Sequence, residues 1–217
     1  MFGGDGDTDV EDARRRLVER LQRQGRLGDG AVADAMRAVP RHEFVPEGRQ
    51  DDAYADRPLP IGQGQTISAP HMVATMVDLL DAERGDEVLE IGTGCGYHAA
   101  VTAEVVGPEN LYTVEYHAAL ADSARDTLAD LGYGEVHVRV GDGHEGWPEH
   151  AHYDAAYLTA APAAIPPKVV EQVRPGGVVL APVGEGRQRL VRTTVGDDGI
   201  VDREDHGGVR FVRMQGD

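Results

Sequence analysis

The sequence predicts an α/β protein with a doubly wound, mostly parallel sheet, preceded by a region of helices and loops. From Asp86 onward, apolar segments of strand length alternate with segments of helical periodicity, which is typical of a parallel sheet with helices on both faces. A glycine-rich turn at residues 92–96 also follows the first of these strands and opens a helix, as in folds that bind nucleotides. The length of 217 residues suits one domain of ordinary size.

Each element of the core has its own signal in the chain. The parallel strands are predicted at residues 87–91, 110–115, 135–140, 153–159 and 177–182, and the intervening helices at 97–106, 118–131 and 166–173. Two later apolar segments, 189–195 and 209–214, predict antiparallel strands at the sheet edge, with residues 196–208 as the loop between them.

The N-terminal part of the chain is predicted to be helical and rich in loops. We expect residues 1–7 to be disordered and residues 8–217 to form a single domain, with a helical and substrate-loop region at 8–82 and an α/β core at 83–217. Thr8 and Glu11 fit a capping box at the start of a first helix. A second helix is expected near 30–39 and a third from Pro70. Residues 40–69 are long for a structureless connection, which indicates a functional loop or short elements within it.

The charge of the chain limits its partners and its surroundings. Acidic residues number 38 against 21 basic ones, the net charge is −17, and Lys168 is the one lysine. This composition is typical of haloarchaeal proteins, because molar salt shortens the Debye length to roughly 3 Å and screens self-repulsion; an ordinary acidic enzyme is the alternative. A nucleic-acid binder needs a basic stripe, which the chain lacks.

No apolar run reaches the length of a membrane span, and the N-terminus is acidic where a signal peptide would be basic. We therefore expect a cytoplasmic monomer that binds neither nucleic acid nor membrane. Cys95 is the single cysteine, so an internal disulfide is impossible. Covalent catalysis by Cys95 and a metal site at His144, His150 and His152 are alternatives, but neither has a clear partner pattern, and we expect no metal.

The glycine turn predicts a bound cofactor. Gly92, Gly94 and Gly96 allow a tight turn, so that a ligand can lie against the backbone and the helix N-terminus. Glu90, just ahead of the turn, would repel a pyrophosphate but suits an ammonium group. S-adenosylmethionine carries an ammonium and a sulfonium and has no phosphate, so it fits this pattern better than a dinucleotide.

Two further acidic positions support the same cofactor. Glu115 ends the second strand of the core, where a carboxylate can accept both ribose hydroxyls. Asp142 and Gly143 follow the third strand, where an adenine edge would be recognised. Together with the glycine turn, these positions have the order and spacing of a class I methyltransferase.

The segment GQGQTISAPH at residues 62–71 predicts a second site. Gln65, Thr66 and Ser68 precede a helix that starts near Pro70, and hydroxyl and backbone N–H groups at a helix start can hold a carboxylate. Ordinary capping of the helix by Ser68 is the alternative.

Taken together, several segments resemble the protein-L-isoaspartate O-methyltransferase family in order and spacing over residues 39–214. They are VPRHEFVP, AYADRPLPIGQGQTISAPH, VLEIGTGCGY, VGDGHEGWP, LTAAPAAIP and VRFV. TISAPH is more diagnostic than the glycine turn, because it distinguishes this family from other methyltransferases. The resemblance implies a seven-stranded Rossmann-like sheet with antiparallel C-terminal edge strands.

The resemblance also implies an activity and a set of residues. The enzyme would transfer a methyl group from S-adenosylmethionine to the free α-carboxylate of L-isoaspartyl residues in damaged proteins, leaving S-adenosylhomocysteine. The ester then collapses to a succinimide, and hydrolysis returns some normal aspartate. Ser68 would be the catalytic hydroxyl. The implied substrate-binding residues are Gln65, Thr66, Ile67, Val209, Arg210, Phe211 and Val212. Residues 209–212 would pair with the acceptor peptide as an added strand. The implied cofactor-binding residues are Glu90, Gly92, Thr93, Gly94, Gly96, Glu115, Asp142 and Gly143.

Other functions stay open at the level of the sequence. They are a methyltransferase for another carboxylate or small molecule, a noncatalytic S-adenosylmethionine-binding paralogue and, with less support, an NAD-dependent oxidoreductase. Arg213 stands where the family often has proline and Cys95 where serine is frequent, so both bear on the shape of the site.

Overall fold

The computed structural model describes residues 5–216, with side chains from residue 9 onward. The α-helices are α1 (Asp5–Arg23), α2 (Ala31–Ala38), α3 (Pro70–Leu80), α4 (Tyr97–Val106), α5 (Ala118–Asp130) and α6 (Pro167–Glu171). The strands are β1 (Leu59–Gly62), β2 (Gln65–Ile67), β3 (Val88–Ile91), β4 (Leu111–Glu115), β5 (His137–Val140), β6 (Tyr153–Leu158), β7 (Val173–Val183), β8 (Gln188–Gly196) and β9 (Gly199–Val209).

Seven strands form one mixed sheet in the order β5-β4-β3-β6-β7-β8-β9. Strands β3 to β7 run parallel, whereas β8 and β9 are antiparallel to their neighbours. The predicted fold class, a doubly wound and mostly parallel seven-stranded sheet with antiparallel C-terminal strands, is confirmed.

The sheet is covered on both faces, which explains why every residue of β3 and β4 is buried. Successive residues of one strand point to opposite faces, so Val88 packs in one apolar cluster and Leu89 in the other. Helix α4 is buried over most of its length, because it lies between the sheet and α2. The carboxyl ends of β3, β4 and β6 therefore lie at one edge of the sheet, above a rigid core.

Two expectations about the N-terminus are wrong. Helix α1 begins at Asp5, so residues 5–7 belong to a helix rather than to a disordered tail. Thr8 consequently lies within the first helical turns and is not an N-cap. Residues 1–4, the rest of the predicted tail, lie outside the described residues.

The long connection at residues 40–69 contains short elements of secondary structure, as the sequence analysis allowed. It includes two 3-10 turns, Arg41–Phe44 and Gln50–Asp52, and the antiparallel hairpin β1–β2. Gln63 and Gly64 turn this hairpin with φ values of 51° and 72°. Positive φ at both turn positions is the geometry that fits the twist of a tight hairpin, and it delivers the chain to Ser68.

The last strand is not where the sequence predicted it. The strand expected at 209–214 is wrong: β9 occupies Gly199–Val209, and beyond it a bridge joins Ala161 to Arg213. Nearly every residue of β9 is exposed, so it has no apolar alternation to detect. Ion pairs to β8, such as Arg192 with Glu204, accompany its pairing instead. Within residues 5–216, no helix combines the length and apolarity that a membrane crossing requires.

Candidate active site

A half-open cleft lies at the carboxyl ends of β3, β4 and β6, between the glycine turn and the segment that follows β2. It contains about 750 Å³ of empty space, counting the part open to solvent. The lining residues come from the hairpin and α3 (Ile61, Gln65, Thr66, Ile67, Ser68, Val73), from β3 to α4 (Ile91, Gly92, Thr93, Gly94, Cys95, Tyr97, His98), from the end of β4 (Val114, Glu115, Tyr116, His117) and from later segments (Gly143, Thr159, Ala160, Val212, Arg213, Met214, Gln215).

The glycines of the cleft wall are required by space as well as by backbone angle. Gly92 has φ +102°, and a Cβ there would lie 2.3 Å from Oγ1 of Thr159. A Cβ on Gly143 would lie 2.3 Å from a methyl carbon of Ile91. Both positions exclude larger residues, so the backbone of the cleft remains accessible to a ligand.

Glu115 is positioned by the glycine turn. Its Oε2 accepts the backbone N–H of Gly94 over 2.8 Å, and its Oε1 accepts the backbone N–H of His117 over 2.9 Å. A carboxylate has about four acceptor sites, so two remain for a ligand. A pair of neighbouring hydroxyls, as on a ribose, fits this arrangement.

Glu90 lies behind the cleft rather than on its wall. It is fully buried, and its two oxygens accept the hydroxyls of Thr113 (2.6 Å) and Tyr157 (2.9 Å). Burial raises the pKa of Glu90 to about 8, against the lowering effect of these two hydrogen bonds. Thr93, which lines the cleft, bonds to Thr113 over 2.7 Å, so Glu90 reaches the cleft only through a chain of hydroxyls.

Ser68 lines the cleft and does not cap the following helix. The N-cap of α3 is Ala69, which has no side-chain capping bond. Within the described part of the chain, the Ser68 hydroxyl has no hydrogen-bond partner. The alternative interpretation of Ser68 as an ordinary helix cap is therefore wrong, and its hydroxyl is available to a ligand.

The predicted site residues divide into two groups. On the cleft wall lie Ser68, Gln65, Thr66, Ile67, Gly92, Thr93, Gly94, Glu115, Gly143 and Val212. Off the wall lie Glu90, Gly96, Asp142, Val209, Arg210 and Phe211.

The off-wall residues have identifiable structural contacts. Gly96 packs against Leu128 at the start of α4. Asp142 accepts the backbone N–H of His144 at a 3-10 turn, and Gly216 packs against its carboxylate. Both backbone polar groups of Phe211 bond to the side chain of Gln188, so its N–H is already engaged within the chain.

The C-terminal segment closes one side of the cleft. Ala161 exchanges backbone hydrogen bonds with Val212 (2.8 Å) and Met214 (2.9 Å), which fixes this segment beside the end of β6. The guanidinium of Arg213 donates to the carbonyl of Glu185 over 2.9 Å. Arg213 is thereby held at the mouth of the cleft.

Three of the five unpartnered buried polar atoms among the described residues belong to side chains that line the cleft. Among the described residues, the buried side-chain nitrogens without a partner are both ring nitrogens of His98, Nε2 of His117, and Nη1 and Nη2 of Arg41. Both histidines line the cleft, and Arg41 stacks on the ring of Tyr97, another lining residue, at 4.7 Å. Buried polar groups are nearly always satisfied in folded proteins, so these unpartnered atoms indicate a site that bound polar groups complete.

The structure disfavours the two alternatives of covalent and metal chemistry. Burial raises the pKa of Cys95 to about 11, which is opposite to the shift of an activated thiolate. Within residues 5–216, no group of three or more His, Cys, Asp or Glu side chains is arranged to hold a metal ion. His144 pairs with Asp142, and His150 packs on Tyr112.

Sequence reasoning missed several residues of the cleft wall, including His98, His117 and Thr159. His98 is the second residue of α4, and its direction depends on how that helix packs, which no local pattern reveals. Thr159 follows the end of β6 at the same sheet edge as the glycine turn. Its position after a predicted strand was a usable signal, because ligands bind beyond the carboxyl ends of parallel strands.

Comparison with known proteins gives consistent results. The profile of the protein-L-isoaspartate(D-aspartate) O-methyltransferase family matches residues 12–217. The chain is 50% identical over 210 residues to protein-L-isoaspartate O-methyltransferase 2 of Archaeoglobus fulgidus, covering 96% of this chain and 95% of the relative. It is 51% identical over 210 residues to protein-L-isoaspartate O-methyltransferase of Methanopyrus kandleri, covering 94% and 92%.

Solved structures show the same fold. One protein-L-isoaspartate O-methyltransferase has a TM-score of 0.86 and 30% identity; the match covers 94% of this chain and 66% of that longer chain. A structure from Plasmodium falciparum has a TM-score of 0.79 and 24% identity, covering 93% and 98%. That protein is a putative protein-L-isoaspartate O-methyltransferase in complex with S-adenosyl-L-homocysteine.

Proposed function

The chain belongs to the protein-L-isoaspartate(D-aspartate) O-methyltransferase family, and we propose that its cleft methylates the free α-carboxylate of L-isoaspartyl residues in damaged proteins. The methyl donor is S-adenosylmethionine, and the product ester collapses to a succinimide on the way to repaired aspartate. The observation that carries this proposal is the convergence of Ser68, from the segment after β2, and Glu115, tied to the glycine turn, on one cleft.

The residues of the cleft fit this donor. The absent side chains at Gly92 and Gly143 leave room against the backbone, and Glu115 has acceptor sites left for a pair of hydroxyls. The orphaned nitrogens of His98 supply polar contacts for another part of the ligand. S-adenosylmethionine supplies a methyl group on a positively charged sulfur.

Ser68 acts on the acceptor in this proposal. A terminal-type carboxylate has an ordinary pKa of about 3.5, so it is ionised at neutral pH and needs no general base. The free hydroxyl of Ser68 donates a hydrogen bond that orients one carboxylate oxygen. Orientation of two reactants in line can supply several kcal/mol of catalysis, and it is the main contribution that we assign to Ser68.

The remaining predicted residues keep supporting roles. Gln65, Thr66, Ile67 and Val212 line the cleft, and we assign them to the acceptor. Thr93, Gly92, Gly94 and Gly143 also line it, and we assign them to the cofactor. We assign Glu90, Gly96, Asp142, Val209, Arg210 and Phe211 to positioning these walls rather than to direct contact with the reactants.

The chain's setting is also a proposal. The charge of −17 with a single lysine supports a protein that works in concentrated salt. A cytoplasmic location, a monomeric state and a single domain over 8–217, divided into 8–82 and 83–217, remain predictions from the sequence.

One assay tests the function. The purified protein is incubated with methyl-labelled S-adenosylmethionine and either an L-isoaspartyl peptide or its normal aspartyl twin, in potassium chloride. Base-labile label on the isoaspartyl peptide alone is expected. Label on neither peptide would favour a noncatalytic S-adenosylmethionine-binding protein or another acceptor, and label on both would contradict recognition of the isoaspartyl linkage.

A further inference from the structure

His98 is an unusual residue for its position. Its side chain is 6% exposed, and neither ring nitrogen has a hydrogen-bond partner among the described residues. Burial lowers its pKa to about 3, so the ring is neutral at physiological pH, with one nitrogen as donor and the other as acceptor. Leaving such groups buried and unpaired is costly, so the fold alone does not explain a histidine here.

The position of His98 relative to the sheet identifies the part of the ligand that it faces. The strand order places β4 on one side of β3 and β6 on the other. Glu115 ends β4, whereas His98 packs on Tyr157 of β6, with ring centroids 4.7 Å apart. If the ribose hydroxyls bind Glu115, the rest of the cofactor crosses the glycine turn above β3 and reaches the β6 side.

The chemistry of the ring fits that end of the cofactor. The amino-acid end of S-adenosylmethionine carries a carboxylate, which accepts hydrogen bonds, and an ammonium, which donates them. A neutral imidazole can serve either group, without the Coulomb repulsion that a charged imidazole would impose on the ammonium. The hydroxyl of Tyr157 cannot replace it, because it is already bonded to Glu90 (2.9 Å) and Thr102 (2.9 Å).

We propose that His98 binds the amino-acid end of the cofactor through a hydrogen bond that the free protein lacks. This inference rests on the proposed use of S-adenosylmethionine at the cleft and adds a specificity-determining contact to it. His98 thereby distinguishes the complete cofactor from an adenosine thioether that has no amino-acid group.

The test compares two ligands that differ in this end. Calorimetry measures binding of S-adenosylhomocysteine and of 5′-methylthioadenosine to the parent, to His98→Leu and to His98→Gln, with His206→Leu on the exposed strand β9 as control. His98→Leu should weaken S-adenosylhomocysteine about tenfold or more and 5′-methylthioadenosine less than about twofold. His98→Gln, which keeps a donor and an acceptor, should recover part of the loss.

Three results would overturn the proposal. They are equal weakening of both ligands in a folded His98→Leu protein, no weakening of either, or an increase in the KM for the isoaspartyl peptide alone. The last would assign His98 to the acceptor. A parent protein that binds neither ligand would contradict the proposed function itself, which separates that failure from an error about His98.

A second measurement does not depend on any variant. The ring ¹⁵N resonances of His98, followed by NMR in the parent protein during titration, should shift with S-adenosylhomocysteine and remain near their free positions with 5′-methylthioadenosine. Equal shifts with both ligands, or no shift with either, would contradict the inference even if His98→Leu failed to fold.

Discussion

Gly94 donates its backbone N–H to the Glu115 carboxylate over 2.8 Å, which joins the turn after β3 to the end of β4. The same carboxylate accepts the backbone N–H of His117. Glu115 therefore has two functions: it fixes the shape of the glycine turn, and it presents its remaining acceptor sites to the cleft.

Replacement of Glu115 by Gln should weaken cofactor binding strongly. The side-chain NH2 of Gln would face the backbone N–H of either Gly94 or His117, so two donors would oppose each other. This would disturb the glycine turn and remove acceptor sites for the ligand. We expect S-adenosylhomocysteine and 5′-methylthioadenosine to lose affinity alike, by about tenfold or more, since both carry the ribose. Calorimetry checks this, with the exposed Glu83→Gln as control. Unchanged affinity for both ligands would remove Glu115 from the site.

Replacement of Ser68 by Ala should lower turnover with little effect on cofactor affinity. The lost hydrogen bond to a carboxylate corresponds to about 1.5–3 kcal/mol, or roughly 10- to 100-fold in kcat. Initial rates with an isoaspartyl peptide and calorimetry with S-adenosylhomocysteine measure the two effects separately. The exposed Ser123→Ala on α5 is the matched control. A Ser68→Ala protein with the parent's turnover would show that the hydroxyl has no role in the reaction.

The pKa of Glu90 predicts a pH-dependent stability. Because burial raises this pKa from 4.5 to about 8, the protonated carboxyl stabilises the fold fully below pH 4.5, and the contribution is lost as pH rises through about 8. Glu90→Gln resembles the protonated form, so its stability relative to the parent should increase over this window, by on the order of a few kcal/mol.

Thermal unfolding from acidic to alkaline pH measures this difference, with Glu83→Gln as a surface control. The two proteins should unfold at similar temperatures near pH 5, and Glu90→Gln at a higher temperature near pH 9. A difference that does not change with pH would show that Glu90 titrates in the folded protein as it does in the unfolded chain.

Replacement of Gly92 by Ala should damage the cleft and the fold together. The position has φ +102°, and a Cβ would lie 2.3 Å from Oγ1 of Thr159. The backbone strain alone costs roughly 1–2 kcal/mol, and the contact adds to it. Chemical unfolding and S-adenosylhomocysteine binding should both weaken. Gly186→Ala, where nothing lies within 4 Å, should be nearly neutral. Equal stability of the two variants would contradict the crowding at Gly92.

Removal of salt should destabilise the protein. The chain has 38 acidic residues and 21 basic ones, so its acidic side chains repel one another. The Debye length, beyond which this repulsion is screened, is about 3 Å in molar salt and about 10 Å at 0.1 M. The free energy of unfolding should fall as potassium chloride is withdrawn, as measured by urea titrations at several salt concentrations. If the free energy of unfolding were unchanged without salt, the proposal that the acidic composition is an adaptation to concentrated salt would be wrong.

The parallel core could be predicted from the sequence because its signals are local. Every residue of β3 and β4 is buried, and most are apolar or aromatic. Helix α4 was predicted at Tyr97–Val106, where it lies. Strand β9 could not be predicted in this way, because it is exposed and held by cross-strand ion pairs rather than by an apolar face. Its partner strand, not its own composition, determines its structure.

In the candidate site, too, the residues with a local sequence signal could be predicted and the others could not. The glycine turn, Glu115 and the Ser68 segment were recognised because each has a defined residue type at a strand end or a helix start. Glu90 has the expected residue type, but strand pleating directs its side chain to the hydroxyls of Thr113 and Tyr157. The sequence did not assign His98 to the site, since its proposed role depends on burial and missing partners, which are properties of the packed structure.

The proposed methyl transfer requires that Ser68 and the cofactor site share one cleft. A crystal structure with S-adenosylhomocysteine and an isoaspartyl peptide tests it directly, through the distances from Ser68 Oγ to the ligand sulfur and to the peptide carboxylate. We predict a hydrogen bond between Ser68 and the carboxylate, with the sulfur facing that same carboxylate. A complex in which Ser68 lies on the far side of the molecule from the sulfur would contradict the account.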